Sequence, residues 1–169
     1  NVCSDEWNIK PDAGLTIVEA ELELIPRFPH YEKEIKMYYS NHRRMIRGTF
    51  NLSIKVLGAL NVKGSINSPV VFKPLRNTNK STHWQGISFL NSSRPSKINY
   101  LELYNVHTGL SIHSEIKVKG LTINRPEKHG VFINSVADNV IDLRNVNIVN
   151  SKEAGFFLEK GNVSVNWCT

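Results

Sequence analysis

The sequence of 169 residues lacks an apolar run of the roughly 18 residues that a membrane-crossing helix requires. After residue 46, helical spacing of apolar residues is not sustained anywhere either. The chain begins without a methionine or an apolar leader, so we expect it to be a piece of a longer protein. These absences argue against contact of this segment with a membrane and favour one β-rich domain.

Cysteine is scarce, and its two copies, Cys3 and Cys168, stand near the two ends of the chain. They either pair with each other, which requires the N-terminal segment to run back along the molecule, or each pairs with a cysteine outside this chain. None of the six histidines stands at a recognised metal-ligand spacing such as H-E-x-x-H. The sequence therefore predicts no metal site and no cofactor.

The net charge is +6, and the basic excess is concentrated in YEKEIKMYYSNHRRMIRG, which contains Lys33, Lys36, Arg43, Arg44 and Arg47. The sequence has no helix-turn-helix pattern, no RNP-type strand and no zinc-ligand spacing, which argues against a nucleic-acid-binding protein. We interpret this segment as a solvated basic face suited to an acidic glycan or a protein partner.

One short unit, a glycine followed by an apolar, a variable and an apolar residue, occurs four times. The four units are Gly86-Ile87-Ser88-Phe89, Gly109-Leu110-Ser111-Ile112, Gly130-Val131-Phe132-Ile133 and Gly155-Phe156-Phe157-Leu158. Their glycines recur at intervals of 23, 21 and 25 residues. A near-fixed period in this range indicates a repeat architecture.

Further short alternations of apolar and polar residues lie between these units, for example Ile116-Lys117-Val118 and Leu121-Thr122-Ile123. Alternation of period two predicts strands, which gives about three short strands per period. This pattern predicts an all-β fold, a right-handed parallel β-helix with about four to five coils over residues 46–169. A β-sandwich also contains short strands, but it does not explain why one glycine unit recurs four times.

Residues 1–45 form a separate N-terminal segment in this interpretation. LTIVEAELELIPRFP predicts a strand or two, and HYEKEIKMYYSNHRRM predicts a short helix or a lid over the first coil. A β-helix needs cover at each open end, because exposed strand edges pair with other chains. The segment is therefore a candidate cap.

The predicted strands place one residue of each short alternation on the outside of the helix. These outward residues are Ser88, Ser111, Phe132 and Phe157 in the sheet of the glycine units, Asn99, Lys117, Asp142 and Ser164 in a second sheet, and Glu102, Thr122 and Asn147 in a third. No row holds the two carboxylates that a glycoside hydrolase uses. Lys117 and Asp142 are predicted to form an exposed salt bridge rather than a catalytic pair. We therefore predict no catalytic residue and no enzyme activity.

Two of these outward positions are phenylalanines on successive coils, Phe132 and Phe157. Two stacked, exposed phenylalanines would form an apolar patch of the kind that marks an interface, so they are the candidate site for a protein partner or for self-association. The alternative is that residues 1–45, which have apolar side chains of their own to bury, lie across them.

Asparagine is frequent, and it precedes three of the glycine units at Asn105, Asn124 and Asn150. These residues are predicted either to stack as a hydrogen-bonded ladder or to act only as turn formers. Asparagine also begins four N-glycan acceptor patterns, at Asn51, Asn79, Asn91 and Asn162. Their positions at predicted turns or strand edges favour a secreted glycoprotein.

Two stretches of the chain carry resemblances to known families. VLGALNVKGSINSPVVFKP followed by HWQGISF resembles the repeats of right-handed parallel β-helix, pectin-lyase-like proteins, and the resemblance covers residues 46–169. NVCSDEWNIKPDAGL resembles part of a scavenger receptor cysteine-rich domain, although the next cysteine of that family is missing. The matching residues are Val2, Cys3, Asp5, Trp7, Asp12 and Ala13, with one extra residue before Asp12.

Together the two stretches resemble bark beetle (Anakonda)-like proteins, which are large extracellular transmembrane proteins of epithelial cell junctions. The resemblance implies a non-catalytic structural or adhesion module of a cell-surface protein. The alternative is a β-helix domain that binds or cleaves polysaccharides, because many proteins of this fold act on acidic polysaccharides.

Overall fold

The computed structural model describes residues 6–9, 14–18, 21–26, 43–48, 53–74, 83–90, 95–136 and 138–169. The strands among these residues are β1 (Glu6–Ile9), β2 (Gly14–Val18), β3 (Glu21–Pro26), β4 (Arg43–Gly48), β5 (Ser53–Val56), β6 (Ala59–Lys63), β7 (Val70–Pro74), β8 (Gly86–Phe89), β9 (Ser96–Tyr104), β10 (Leu110–Ile112), β11 (Ile116–Asn124), β12 (His129–Asn134), β13 (Ile141–Val149), β14 (Ala154–Lys160) and β15 (Val163–Asn166). Within these ranges no helix is long and apolar enough to cross a membrane.

The strands form two parallel sheets, and the chain alternates between them. The first sheet has six strands in the order β1-β5-β8-β10-β12-β14. The second sheet has nine strands. Seven of them lie in the order β15-β13-β11-β9-β7-β3-β4, and the other two form a branch in which β6 pairs with both β2 and β9. One coil is therefore one passage through the first sheet and then through the second. This is the all-β, parallel β-helix predicted from the recurring glycine unit.

The four glycine units stack directly on one another in the first sheet. The register aligns Ile87 with Leu110, Leu110 with Val131, and Val131 with Phe156, so the preceding glycines are aligned as well. A Cβ atom on Gly130 would lie 2.7 Å from the carbonyl oxygen of Gly155. The glycines therefore allow the backbones of successive coils to approach closely where each coil enters the first sheet.

The core lies between the two sheets and is built from the inward residues of each strand. In the first sheet Ile87, Phe89, Leu110 and Ile112 are all buried. Opposite them, the second sheet contributes buried aliphatic residues from β9, β11 and β13, which are Ile98, Leu101, Leu103, Ile116, Val118, Leu121, Ile123, Ile141, Leu143 and Val146. One coil buries these side chains only when another coil stacks on it, so the core is continuous along the helix.

The three long strands of the second sheet bend at a left-handed residue, namely Tyr100 in β9, Gly120 in β11 and Asn145 in β13, with φ of 49°, 75° and 53°. Each bend divides its strand into two halves. The prediction that Asn99 shares an outward row with Lys117 is wrong, because Lys97 pairs with Lys117. The alternation predicts Tyr100 as an inward strand residue, whereas it forms the bend.

Of the two alternatives for the asparagines, a hydrogen-bonded ladder and turn formation, the second describes Asn105 and Asn150. Asn105 and Asn150 occupy equivalent left-handed positions after β9 and β13, with φ of 50° and 59°. The equivalent residue after β11 is Arg125, with φ of 58°. Asn124 lies one position earlier, where it pairs with Tyr104. Asn105 and Asn150 therefore act as turn formers that tolerate the left-handed conformation.

The described strands of residues 1–45 extend the stack at one end. β1, β2 and β3 pair in parallel with β5, β6 and β7. β2 and β3 are the strand or two predicted in LTIVEAELELIPRFP. The helix or lid predicted in HYEKEIKMYYSNHRRM lies mostly outside the described residues, and its last residues, from Arg43 onward, belong to β4 on the outer edge of β3. The division of the chain into two domains near residue 46 stays a prediction.

Cys168 is a free thiol that packs partly against the core. Its Sγ lies 3.4 Å from the carbonyl oxygen of Asn166. Cys3 lies outside the described residues. No disulfide is found at Cys168 within the described part of the chain. Both alternatives, pairing with Cys3 and pairing with a cysteine outside this chain, stay predictions.

Candidate functional site

The outward row of the first sheet has the predicted register. Ser88 pairs with Ser111, Ser111 with Phe132, and Phe132 with Phe157. Phe132 is half-buried, whereas the side chain of Phe157 is 43% exposed. The two phenylalanines therefore share one face of the molecule on neighbouring strands, and their role as an interface stays a prediction.

Two histidines join these phenylalanines, and we call the four residues His113, His129, Phe132 and Phe157 the aromatic cluster. The rings of Phe132 and Phe157 are stacked, with centroids 5.8 Å apart and planes 10° from parallel. His129 stacks on Phe157 at 4.9 Å. His113 approaches Phe132 at 6.0 Å with a tilted ring. Stacked aromatic pairs contribute about 0.5–1.5 kcal/mol beyond their buried area, so the cluster is a preorganised surface.

His129 is the buried member of the aromatic cluster, with 8% of its surface exposed. Its Nε2 lies 3.9 Å from Oε2 of Glu153. Its Nδ1 is buried and has no hydrogen-bond partner among the described residues. A buried polar atom without a partner costs stability.

His113 is anchored by a hydrogen bond at the edge of the cluster. Its Nδ1 lies 2.8 Å from the backbone oxygen of Asn134, which can only accept, so Nδ1 carries the proton. The side-chain amide of Asn134 donates to Oε2 of Glu159 at 2.8 Å. The apolar centre of the cluster is thus bordered by polar groups, as protein interfaces usually are.

The cluster lies next to an open end of the stack. β14 is the last strand of the first sheet, and its inward-position residues Phe156 and Leu158 are exposed, unlike their equivalents Val131 and Ile133 on β12. The alternative that residues 1–45 cover the phenylalanines receives no support from β1–β3, which lie at the opposite end of the stack.

The second sheet also contains the predicted neighbours Lys117 and Asp142, which pair in the register of β11 and β13. The prediction of a salt bridge between these two residues is wrong. Both oxygens of Asp142 are instead held by Arg144, two residues along the same strand, at 3.0 Å from Nε and 2.9 Å from the terminal guanidinium nitrogen. Two residues at i and i+2 of a strand share one face, which brings the arginine closer than the lysine.

Glu102, Thr122 and Asn147 share one outward row, as predicted. The third sheet predicted for this row is wrong, because the row belongs to the second sheet beyond its bend. Oε2 of Glu102 accepts a hydrogen bond from the hydroxyl of Tyr104 at 2.8 Å. Burial, followed by this hydrogen bond and the charge of Glu102, raises the pKa of Tyr104 above 10.0.

We expect Glu102→Gln to lower the pKa of Tyr104 without restoring its ordinary value, because the burial remains. An alkaline titration followed by ultraviolet absorbance measures this change, and Tyr104→Phe assigns the transition. Because the folded-state pKa is raised, the stabilisation from neutral Tyr104 is present below about pH 10 and is lost as the pH rises through the folded-state pKa. An unchanged titration in Glu102→Gln would contradict the contact.

The remaining predicted sites are only partly within the described residues. Asn162 is exposed between β14 and β15, where a glycan would meet solvent. Asn51, Asn79 and Asn91 lie outside the described residues. In the part of the chain that the structure describes, no group of three histidine, cysteine or acidic residues could hold a metal ion.

The contribution of the two histidines was missed in the sequence. Their only signal is position, because His113 directly follows one glycine unit and His129 directly precedes another. No family model, no curated protein and no solved structure matches this chain.

Proposed function

We propose that this chain is a non-catalytic structural and adhesion module of a larger extracellular protein, with the aromatic cluster as its protein-binding surface. The observation that carries the proposal is the stacked, half-exposed pair of Phe132 and Phe157 on a rigid parallel sheet. Aromatic residues are enriched at the centres of interfaces because they bury a large area at a small entropic cost.

The chemistry of the outward rows supports a non-catalytic role. The carboxylate of Glu102 accepts the hydrogen bond of Tyr104, and that of Asp142 is paired with Arg144. These carboxylates stand on opposite sides of the bend in the second sheet. No described outward row places two carboxylates next to each other, which is the arrangement that hydrolysis of a glycan requires.

The finer proposal, that the larger protein belongs to epithelial cell junctions, rests on the resemblance to bark beetle-like proteins. It is supported by a parallel β-helix and by the exposed glycan acceptor at Asn162. The scavenger-receptor-like segment, residues 1–15, lies mostly outside the described residues. The location outside the cell likewise belongs to this proposal.

The proposed surface is tested with beads coated with the protein, whose clustering reports self-adhesion. We expect wild-type beads to cluster and the double variant Phe132→Ser, Phe157→Ser to cluster several-fold less. Ile66→Ser is the matched control, because Ile66 is 76% exposed and lies between β6 and β7, away from the cluster.

Two results would overturn parts of the proposal. Clustering of the folded double variant at the wild-type level, or no clustering of the wild type, would remove the aromatic cluster as a self-adhesion surface. Turnover of acidic polysaccharides above background would overturn the non-catalytic role and support the alternative of a polysaccharide-cleaving domain.

A further inference from the structure

The open end of the stack exposes apolar side chains from both sheets. Phe156 and Leu158 on β14 and Val165 on β15 stand at inward positions, and all three are exposed. The equivalent residues one coil earlier are buried. Among the described strands, none pairs with the outer edge of β14 or of β15. This end therefore presents two free strand edges with an apolar layer between them.

The middle of β14 lacks the features that protect free strand edges in monomeric proteins. Such edges usually carry charged side chains, proline or a β-bulge. The run from Ala154 to Leu158 contains no charged residue and no proline. The irregularity in the pairing of β14 with β12 comes only after Leu158. This edge is therefore suited to pair with another strand.

The backbone groups that face the free edge of β14 belong to Phe156 and Leu158. Along a strand in a parallel sheet, the N–H and C=O groups of successive residues point alternately to the two neighbouring strands. In β8, the backbone of the inward residues Ile87 and Phe89 bonds to the next coil. Phe156 and Leu158 occupy the same two columns on β14. Their N–H and C=O groups therefore point away from β12.

A second copy of the chain fits this edge through a two-fold axis at Phe157. Rotation by 180° about a line perpendicular to the sheet makes the two β14 strands antiparallel and keeps both inward faces on the same side. Phe156 of each copy would then lie opposite Leu158 of the other. Such a pair exchanges both backbone hydrogen bonds. This arrangement would satisfy the free backbone groups and continue the core from one copy into the other.

Charge favours this register over its neighbours. With the axis at Phe157, Lys160 of one copy would lie opposite the small Ala154 of the other. An axis one residue earlier would place Lys160 opposite Lys152, and like charges directly opposite each other destabilise a sheet. An axis one residue later would place Lys160 opposite the apolar Phe156. The axis at Phe157 avoids both arrangements.

The same axis places Phe157 opposite Phe157 of the second copy. The backbone of Phe157 faces β12, so these two residues would form a non-hydrogen-bonded pair, in which side chains lie closest. Within one chain, Phe132 and Phe157 are already stacked 5.8 Å apart. The pairing would extend this stack into a row of four phenylalanines. A second copy supplies the matching edge and the matching aromatic residue by symmetry.

We propose that two copies of this chain associate through antiparallel pairing of their β14 edges, with the two-fold axis at Phe157. The inference rests on the proposed function and names the partner of the aromatic cluster as a second copy. One short strand edge buries less than the roughly 1,200 Å² of a standard interface, so we expect a weak dimer with a Kd of about 100 µM. Many such contacts between two coated surfaces act together. At the low micromolar concentrations of urea denaturation the chain is monomeric, and this end is exposed.

Single cysteines test the register in the whole chain, with Cys3→Ser and Cys168→Ser as the background. Phe157→Cys places the thiol opposite its own copy, within the Cα distance of about 7 Å that a disulfide requires. Gly155→Cys is the matched control on the same face of β14, where the nearest atom to a Cβ is 3.8 Å away. Its thiol would lie four residues from its own copy, about 13 Å along the strand.

Oxidation by copper phenanthroline, at a chain concentration near the expected Kd, measures the rate of covalent dimer formation. We expect Phe157→Cys to form the dimer at least about tenfold faster than Gly155→Cys, because only the first pair of thiols is within reach. Thermal unfolding checks that both variants remain folded.

Two outcomes would overturn the proposed pairing. One is an equal rate for the two variants, which would indicate random collision. The other is a covalent dimer that forms only when Phe157→Cys and Gly155→Cys chains are mixed, which would indicate an axis one residue earlier. Bead clustering separates these outcomes from a failure of the proposed function. Clustering that still depends on Phe132 and Phe157 would keep the adhesion surface and reject only this pairing, whereas selective cross-linking without clustering would keep the dimer and reject adhesion.

Discussion

Replacement of Gly130 by alanine is expected to lower the free energy of unfolding by about 3 kcal/mol, as overpacking of a close contact does. The added Cβ would lie 2.7 Å from the carbonyl oxygen of Gly155 on the next coil and 2.6 Å from Cγ2 of Ile148. The first of these atoms belongs to the backbone, so relief requires the two coils to move apart. Urea denaturation measures the change.

Gly155 provides the matched control for this substitution. It occupies the same position of the repeat, but it lies on β14, the last strand of the first sheet. The nearest atom to a Cβ on Gly155 is Cδ1 of Ile148 at 3.8 Å, an ordinary contact. Gly155→Ala should therefore change the free energy of unfolding by less than about 0.5 kcal/mol, as substitutions without a specific clash do.

A small effect of Gly130→Ala, or equal effects of the two substitutions, would contradict the proposed reason for the glycine unit. The unit would then be explained by backbone conformation or chain flexibility, which both positions share. A large difference attributes the recurrence of glycine to the close approach of one coil to the next.

Replacement of Phe89 by alanine is expected to cost about 3–5 kcal/mol of stability, the usual range for a buried phenylalanine. Phe89 is 0% exposed. The register places it in one inward column with Ile112, Ile133 and Leu158. The substitution leaves a cavity between the sheets. Neighbouring coils cannot fill it without a shift in the pairing of their strands.

Leu158 ends the same column and is 56% exposed on β14. Leu158→Ala should therefore cost less than about 1 kcal/mol, because only part of its apolar surface is removed from water. The pair is compared by urea denaturation under identical conditions. A cost for Leu158→Ala that equals the cost for Phe89→Ala would mean that this end of the stack is covered in solution.

The first sheet was predictable because the glycine unit combines two independent signals. Its alternation identifies inward and outward residues, and its period of 21 to 25 residues identifies the coil. Both signals agree at Gly86, Gly109, Gly130 and Gly155. The outward row that contains Phe132 and Phe157 follows from them without further information.

The bend in the second sheet was not predictable in the same way. Its left-handed position is filled by Tyr100, Gly120, Asn145 and Trp167 on successive coils, and these residues share no size or polarity. Tyr100 continues the apolar alternation after Ile98, so the pattern predicts it as an inward residue. The shift by two positions from Asn99 to Lys97 hid the pair of opposed lysines, Lys97 and Lys117.

The aromatic cluster was predictable in part. Phe132 and Phe157 follow from the register, whereas the stacking of His129 on Phe157 depends on side-chain conformations that sequence spacing does not determine. The pairing of Asp142 with Arg144 rather than with Lys117 also depends on local side-chain geometry. The alternation predicts only Lys117 as the partner of Asp142, whereas Arg144, two residues along the same strand, is the residue that contacts it.

The central claim is that each glycine unit begins one further coil of a single stack. Pairs of spin labels test it most directly, with one label at Lys55→Cys and the second at Ser111→Cys, Phe132→Cys or Phe157→Cys. The background carries Cys3→Ser and Cys168→Ser. These sites lie two, three and four strands from Lys55 in the first sheet.

Electron paramagnetic resonance should give distances of about 10, 14 and 19 Å between the labelled backbone positions, because each strand adds about 4.8 Å. The increase should be stepwise although the sequence separation between the labels reaches about a hundred residues. Distances that do not increase in this order, or that are the same for all three pairs, would contradict the stacked β-helix and every surface derived from it.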